Sequence, residues 1–184
     1  MTARKMERSE IPQVWDIDRS EIVHRIYYLA HGELALKPEY CDMKGWPAGE
    51  PEKYTPLLFE CFDRGGWFYG IFDGTKLIAA VVLDCQAIGN DKNRLQLKFL
   101  HVSSSFRNRG IGKALFSAAV SEAARRGAKK LYISASPSEH TVKFYMRLGC
   151  TVADSPDPEL QRIEPYDIHL EYIIDPVDRI GEDE

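Results

Sequence analysis

The sequence predicts an α/β (α+β) fold. The expected sheet is mixed and mostly antiparallel, with a central parallel strand pair splayed at a β-bulge and helices on both faces. Three observations predict it. Residues 67–83 read as two strands around Asp73-Gly74, a strong hairpin signal. Residues 95–135 read as strand, amphipathic helix, strand, and such a crossover lays its two strands side by side in parallel. Within the first of these strands the alternation Leu95, Leu97, Phe99 slips by one to Leu100 and Val102. A bulge within residues 99–101 would produce that slip.

The 184 residues are enough for one proper core, and 44% hydrophobic with 28% charged residues places the chain among globular proteins. A net charge of −4 and a pI near 5.8 argue against a nucleic-acid partner. No apolar run reaches the ~18 residues of a membrane span, and the N-terminus lacks a signal-peptide core. Cys41, Cys61, Cys85 and Cys150 are far apart with no C-x-x-C pair, which fits reduced thiols and no metal site. The expected setting is therefore cytoplasmic, away from membranes.

The elements follow in order. A short strand is expected near residues 7–15. Asp18 then opens a helix, with Glu21 completing a capping box, Ile17 and Ile22 forming a staple, and Gly32 as the stop. Residues 33–56 carry four prolines and two glycines and read as a long loop holding Tyr40, Trp46 and Tyr54. A helix over about 54–63 ends at Gly65-Gly66. After the hairpin and a looser turn at 87–93, the central strand starts at Leu95. The next helix closes at Gly127, a strand spans 131–135, and a helix carrying Val142, Tyr145 and Leu148 closes at Gly149. Two strands, 150–153 and 168–174, end the fold, joined by a connection at 154–167. The acidic residues 175–184 read as a mobile tail.

The chemistry is concentrated where the central strand turns into its helix. Arg107-Asn108-Arg109-Gly110-Ile111-Gly112-Lys113 combines unpaired helix N–H groups, a positive dipole end and two residues without Cβ. Arg107, Arg109 and Lys113 add side-chain charge. This is a site for a phosphate or pyrophosphate. A Walker loop would need Gly at Arg107 and Ser or Thr at Ala114, and a dinucleotide fingerprint would need Gly at Leu115. Neither is present.

The Arg-x-x-Gly-x-Gly form, after a strand ending in Leu100-x-Val102, resembles the pyrophosphate loop of the GNAT acetyltransferase superfamily. A second stretch, from Thr141 through Phe144-Tyr145 to Leu148-Gly149-Cys150, resembles that family's Phe-Tyr, two residues, Leu-Gly-Phe segment, with Cys150 where Phe is usual. The resemblance covers about residues 66–174. It implies one domain over 1–184, with an acceptor-side region at 1–65, an acetyl-CoA-binding core at 66–174 and the tail at 175–184.

It also implies an N-acetyltransferase that moves an acetyl group from acetyl-CoA, without a metal, directly to an unidentified small-molecule or peptide amine. A homodimer stays open. Leu100, His101 and Val102 would pair with the pantetheine arm beside the bulge, and Arg107, Asn108, Arg109, Gly110, Ile111, Gly112 and Lys113 would hold the pyrophosphate. Ser134, Ser136 and Thr141 lie where the family often has Asn, and Ser136 and Thr141, with Phe144 of the Phe-Tyr segment, count as cofactor contacts. Tyr145 matches the family's tyrosine, which implies an acid toward the CoA thiolate. No general base stands out: His101, Glu33, Glu60, Asp84 and ordered water all remain. A non-catalytic acyl-CoA sensor or interaction module is the alternative.

Overall fold

The computed structural model describes residues 1–175. Strands β1 (Thr2–Lys5), β4 (Trp67–Asp73), β5 (Lys76–Ile88), β6 (Arg94–Val102), β7 (Lys130–Ala135), β8 (Thr151–Val152) and β9 (Ile168–Ile173) form one sheet in the order β1-β4-β5-β6-β7-β9-β8. All neighbours are antiparallel except β6 and β7. Each face of this sheet carries a core. On one, α2 (Ile111–Arg125) and α3 (Glu139–Arg147) cover Val81, Leu97, Ile133 and Leu170. On the other, a 3-10 helix at Arg8–Asp16 and α1 (Glu50–Asp63) cover Phe68, Ala80 and Val82. The expected mixed sheet, with helices on both faces, is what forms. The tail expected at 175–184 lies, beyond Asp175, outside the described residues.

The N-terminal third departs from the expectation. The strand lies at Thr2–Lys5, and the stretch expected as a strand near 7–15 is the 3-10 helix. The expected helix from Asp18 is instead β2 (Glu21–Ala30), paired with β3 (Glu33–Met43) as a separate two-stranded ribbon. Ile22, Val23, Ile26, Tyr27 and Tyr28 are β-branched or aromatic and favour the pleated state. His31 and Gly32 both take positive φ, as a tight hairpin turn requires. Asp18 accepts from the Ser20 amide and the Ser104 hydroxyl rather than capping a helix. Two of the prolines that suggested a long loop occupy tolerated places, Pro38 on an edge strand at an irregular register and Pro51 in the first turn of α1, while Pro56 lies inside that helix. The connection before β9 contains α4 (Pro158–Ile163), whose first amides bond to the Asp157 carboxylate.

The bulge sits earlier than expected. Val82 pairs with Phe99, and Leu83 with Leu97, so Lys98 is the extra residue; the ladder from Phe99 to Val102 is regular. Phe99 misleads because it packs on the opposite core from Leu97. An apolar residue fits either phase when both faces of a sheet are covered.

Candidate active site

Strands β6 and β7 pair only from Arg94–Lys130 to Gln96–Tyr132. Beyond that point, among the described residues, each strand bonds only to its outer neighbour, β6 to β5 as far as Val102 and β7 to β9 as far as Ala135. A split therefore opens between 97–102 and 133–135, and backbone groups on its two inner edges need partners. Lys98 stands at its root, and its ammonium reaches Asp84, which also binds Arg64. The two cations hold the Asp84 carboxyl below its usual range against the cost of burial. Asp84 is thus committed to an ion-pair cluster. Glu33 and Glu60 are exposed.

The phosphate loop lies at the end of β6. Asn108 and Gly110 take positive φ and turn the chain into α2, whose first intrahelical bond runs from Ala114 N–H to Gly110 C=O. Among the described residues no side chain caps the helix, so the amides of Ile111, Gly112 and Lys113 stay open to an anion. A Cβ on Gly112 would lie 3.2 Å from the Phe144 ring. Phe144 in turn packs on Tyr145, and Tyr145 on Phe116. Loop, Phe144 and Tyr145 thus form one contiguous wall on the α2–α3 side. Burial raises the Tyr145 phenol above its usual value.

Other candidates have additional duties. Ser138 caps α3: its hydroxyl accepts from the Thr141 amide and donates to the Thr141 hydroxyl. Ser136 is half-buried just past β7, and Arg109 and Lys113 are exposed, Arg109 lying over the Phe106 ring. Arg107 differs most from the expectation of a charge offered to phosphate. Its guanidinium donates to the carbonyls of Val102 (3.0 Å), Ser20 (3.0 Å) and Asp18 (3.5 Å). Arg107→Ala should therefore cost stability itself, about 1.5–3 kcal/mol for charge-assisted bonds, which urea unfolding would measure.

The opposite face of the split was not anticipated. Trp46 packs against Phe99 and His101 and donates its indole N–H to Ile17 C=O. The Arg19 guanidinium lies 4.8 Å over the Trp46 ring. Burial, then the charges of Arg19 and Arg107, push the His101 imidazole down to about 3. It stays neutral and is a poor base at neutral pH. Asp167, whose N–H bonds to Glu164 C=O at 3.2 Å, feels the charge of the same Arg19. These residues are separated by up to 148 positions, from Arg19 to Asp167 (167 − 19), and no local pattern links them.

The profile of the acetyltransferase (GNAT) family matches residues 34–150, well over half of the chain. The chain belongs to the GNAT acetyltransferase family. An uncharacterised N-acetyltransferase of Methanocaldococcus jannaschii is 33% identical over 91 residues, covering 47% of this GNAT chain and 39% of that relative. The chain thus spans about two fifths of the curated relative it matches. Among solved structures, a nourseothricin acetyltransferase superposes with a TM-score of 0.67 at 16% identity, covering 95% of this chain and 98% of that one. A candidate streptothricin acetyltransferase of Bacillus anthracis str. Ames, solved with acetyl-CoA, gives 0.68 at 16% identity with the same coverage, 95% and 98%. The PaiA N-acetyltransferase of Thermoplasma acidophilum, solved with CoA, gives 0.62 at 16% identity, covering 94% and 98%. At these identities the likeness is one of fold. Among the described residues, no helix of this GNAT chain is long and apolar enough to cross a membrane.

Proposed function

We propose that this chain moves an acetyl group from acetyl-CoA directly to an amine acceptor. The observation that carries the reading is the β6–β7 split opening beside the uncapped N-terminus of α2. The residues present suit such a donor. Gly112 leaves room that a Cβ would take from Phe144, and three amides at the start of α2 await an anion. On this reading Asn108, Gly110, Ile111, Gly112 and Lys113 hold the pyrophosphate, with Arg109 near it. Arg107 braces the loop, and the inner edge of Leu100–Val102 pairs with the amide-bearing arm. Backbone N–H groups of that edge also polarise the reacting carbonyl. Bound acetyl-CoA supplies a thioester already activated for transfer. Tyr145, neutral and on the α2–α3 side, donates to the sulfur as it leaves.

Thiol release from acetyl-CoA tests the reading, with an aminoglycoside, a polyamine, a lysine ester and a peptide with a free N-terminus as acceptors. Amine-dependent release is the expected result. Tight acetyl-CoA binding with no release above the solvent rate would favour a sensor instead.

A further inference from the structure

We propose that Asp167 takes the proton from the acceptor amine, an inference that rests on the transferase reading above. Asp167 immediately precedes β9, whose first residue, Ile168, pairs with Ala135 at the end of β7. It therefore stands at the open end of the split. Along β9, Ile168 and Leu170 turn into the core under α2 and α3, while His169 bonds Tyr132 and Glu171 bonds Arg94 and Lys130 on the other face. Asp167 lies one residue before the strand, and carrying the alternation of β9 back by that residue puts it on the His169 face. Tyr145 belongs to the α2–α3 core, and on that alternation Asp167 falls to the opposite face of the sheet.

That separation suits the reaction. The amine nitrogen bonds to the thioester carbon as the carbon–sulfur bond breaks and its electron pair leaves on sulfur. The proton lost by nitrogen goes to the Asp167 carboxylate, and the sulfur takes one from Tyr145. Products are the amide and the CoA thiol, and both side chains recover their starting states by exchange with water.

The surroundings of Asp167 are polar and incompletely paired. Among the described residues, Glu164 Oε2 and Ser134 Oγ are buried without hydrogen-bond partners. Ser134 pairs in register with His169 and so shares this face. Buried polar atoms left open are costly unless a ligand or water completes them. The charged groups acting on Asp167 are Glu164, from the segment after α4, and Arg19, from the segment before β2; beyond Arg19 lie Trp46 and the neutral His101. Burial and Glu164 push the Asp167 carboxyl up to about 6, against the pull of Arg19. Above that pH it is an ionised carboxylate of more than usual basicity. The other candidates are exposed, ion-paired or held neutral: Glu33 and Glu60, Asp84, and His101.

The test compares wild type with Asp167→Asn and Asp167→Glu, using whichever of the four amines is acetylated fastest. Loss of the acceptor's own proton gives log(kcat/KM) a slope of one against pH. A protein base adds a second unit below pH about 6. Wild type should show that steepening. Asp167→Asn should lose it together with about 10²-fold or more of kcat/KM at pH 7, and should bind acetyl-CoA as wild type does. Asp167→Glu should restore part of the rate. A slope of two and full activity in Asp167→Asn would overturn the inference while leaving the transferase reading intact. So would a ¹³C-carboxyl titration placing Asp167 in the ordinary carboxylate range. No thiol release with any of the four amines would overturn the transferase reading, and this inference with it.

Discussion

Tyr145→Phe is expected to leave acetyl-CoA affinity and stability nearly unchanged while lowering turnover by about 10²–10⁴-fold, the range for a positioned acid. The ring is buried against Phe116 and Phe144, and Phe makes the same contacts. Only the hydroxyl is lost. Its raised ionisation keeps it protonated throughout the working range, so the variant's deficit should be flat from pH 6 to 9. Stopped-flow thiol release under single-turnover conditions checks this. An unchanged chemical rate would leave Tyr145 a packing residue, whereas a loss of affinity would mean that its hydroxyl binds the donor.

Gly112→Asp should act on binding. Its Cβ would press on the Phe144 ring at 3.2 Å and approach Val102 at 3.8 Å. Its carboxylate would occupy the open amides of α2 and repel the phosphates. Two unit charges about 4 Å apart near a protein surface interact by about 1–4 kcal/mol, depending on screening, so CoA affinity should fall by about 10–10³-fold. Gly112→Ala separates the two effects, because it keeps the steric push without the charge. Calorimetric titration with CoA at two salt concentrations measures both. The Asp variant alone should improve with salt, since screening weakens repulsion. Equal affinity in wild type and the Asp variant would remove the phosphates from the start of α2.

The half of the fold built by α2 and α3 was legible because its signals are local. The Asp73-Gly74 turn, the stripe along α2 and the glycines at 127 and 149 each act within a few residues. The same holds for residues 107–113, where loop and helix start are continuous in sequence. The ribbon was not legible. Only Val23 of β2 is buried, so no two-residue alternation marks its strands, while Asp18, Glu21 and Ile22 imitate a helix start. Lys98 was missed as the bulge for a related reason, since Phe99 is apolar in either register. Arg19, Trp46, His101 and Asp167 meet only through the tertiary fold, and the sequence between them carries no spacing to betray it.

The ribbon is fastened at two places. At its base, Asp18 and Ser20 bond Arg107, and the Asp18 amide bonds Ser103. Midway, Tyr27 N–H reaches Pro137 C=O and Arg25 reaches Glu139. These anchors belong to the ends of β6 and β7, so β2 spans the gap between strands that no longer touch. A hairpin held in this way is a replaceable part. Its turn, at His31-Gly32, touches neither anchor, so insertions there could reshape the approach to the split without disturbing the phosphate loop. Such a hairpin can change in length and sequence while the bonds that tie it to the ends of β6 and β7 stay as they are.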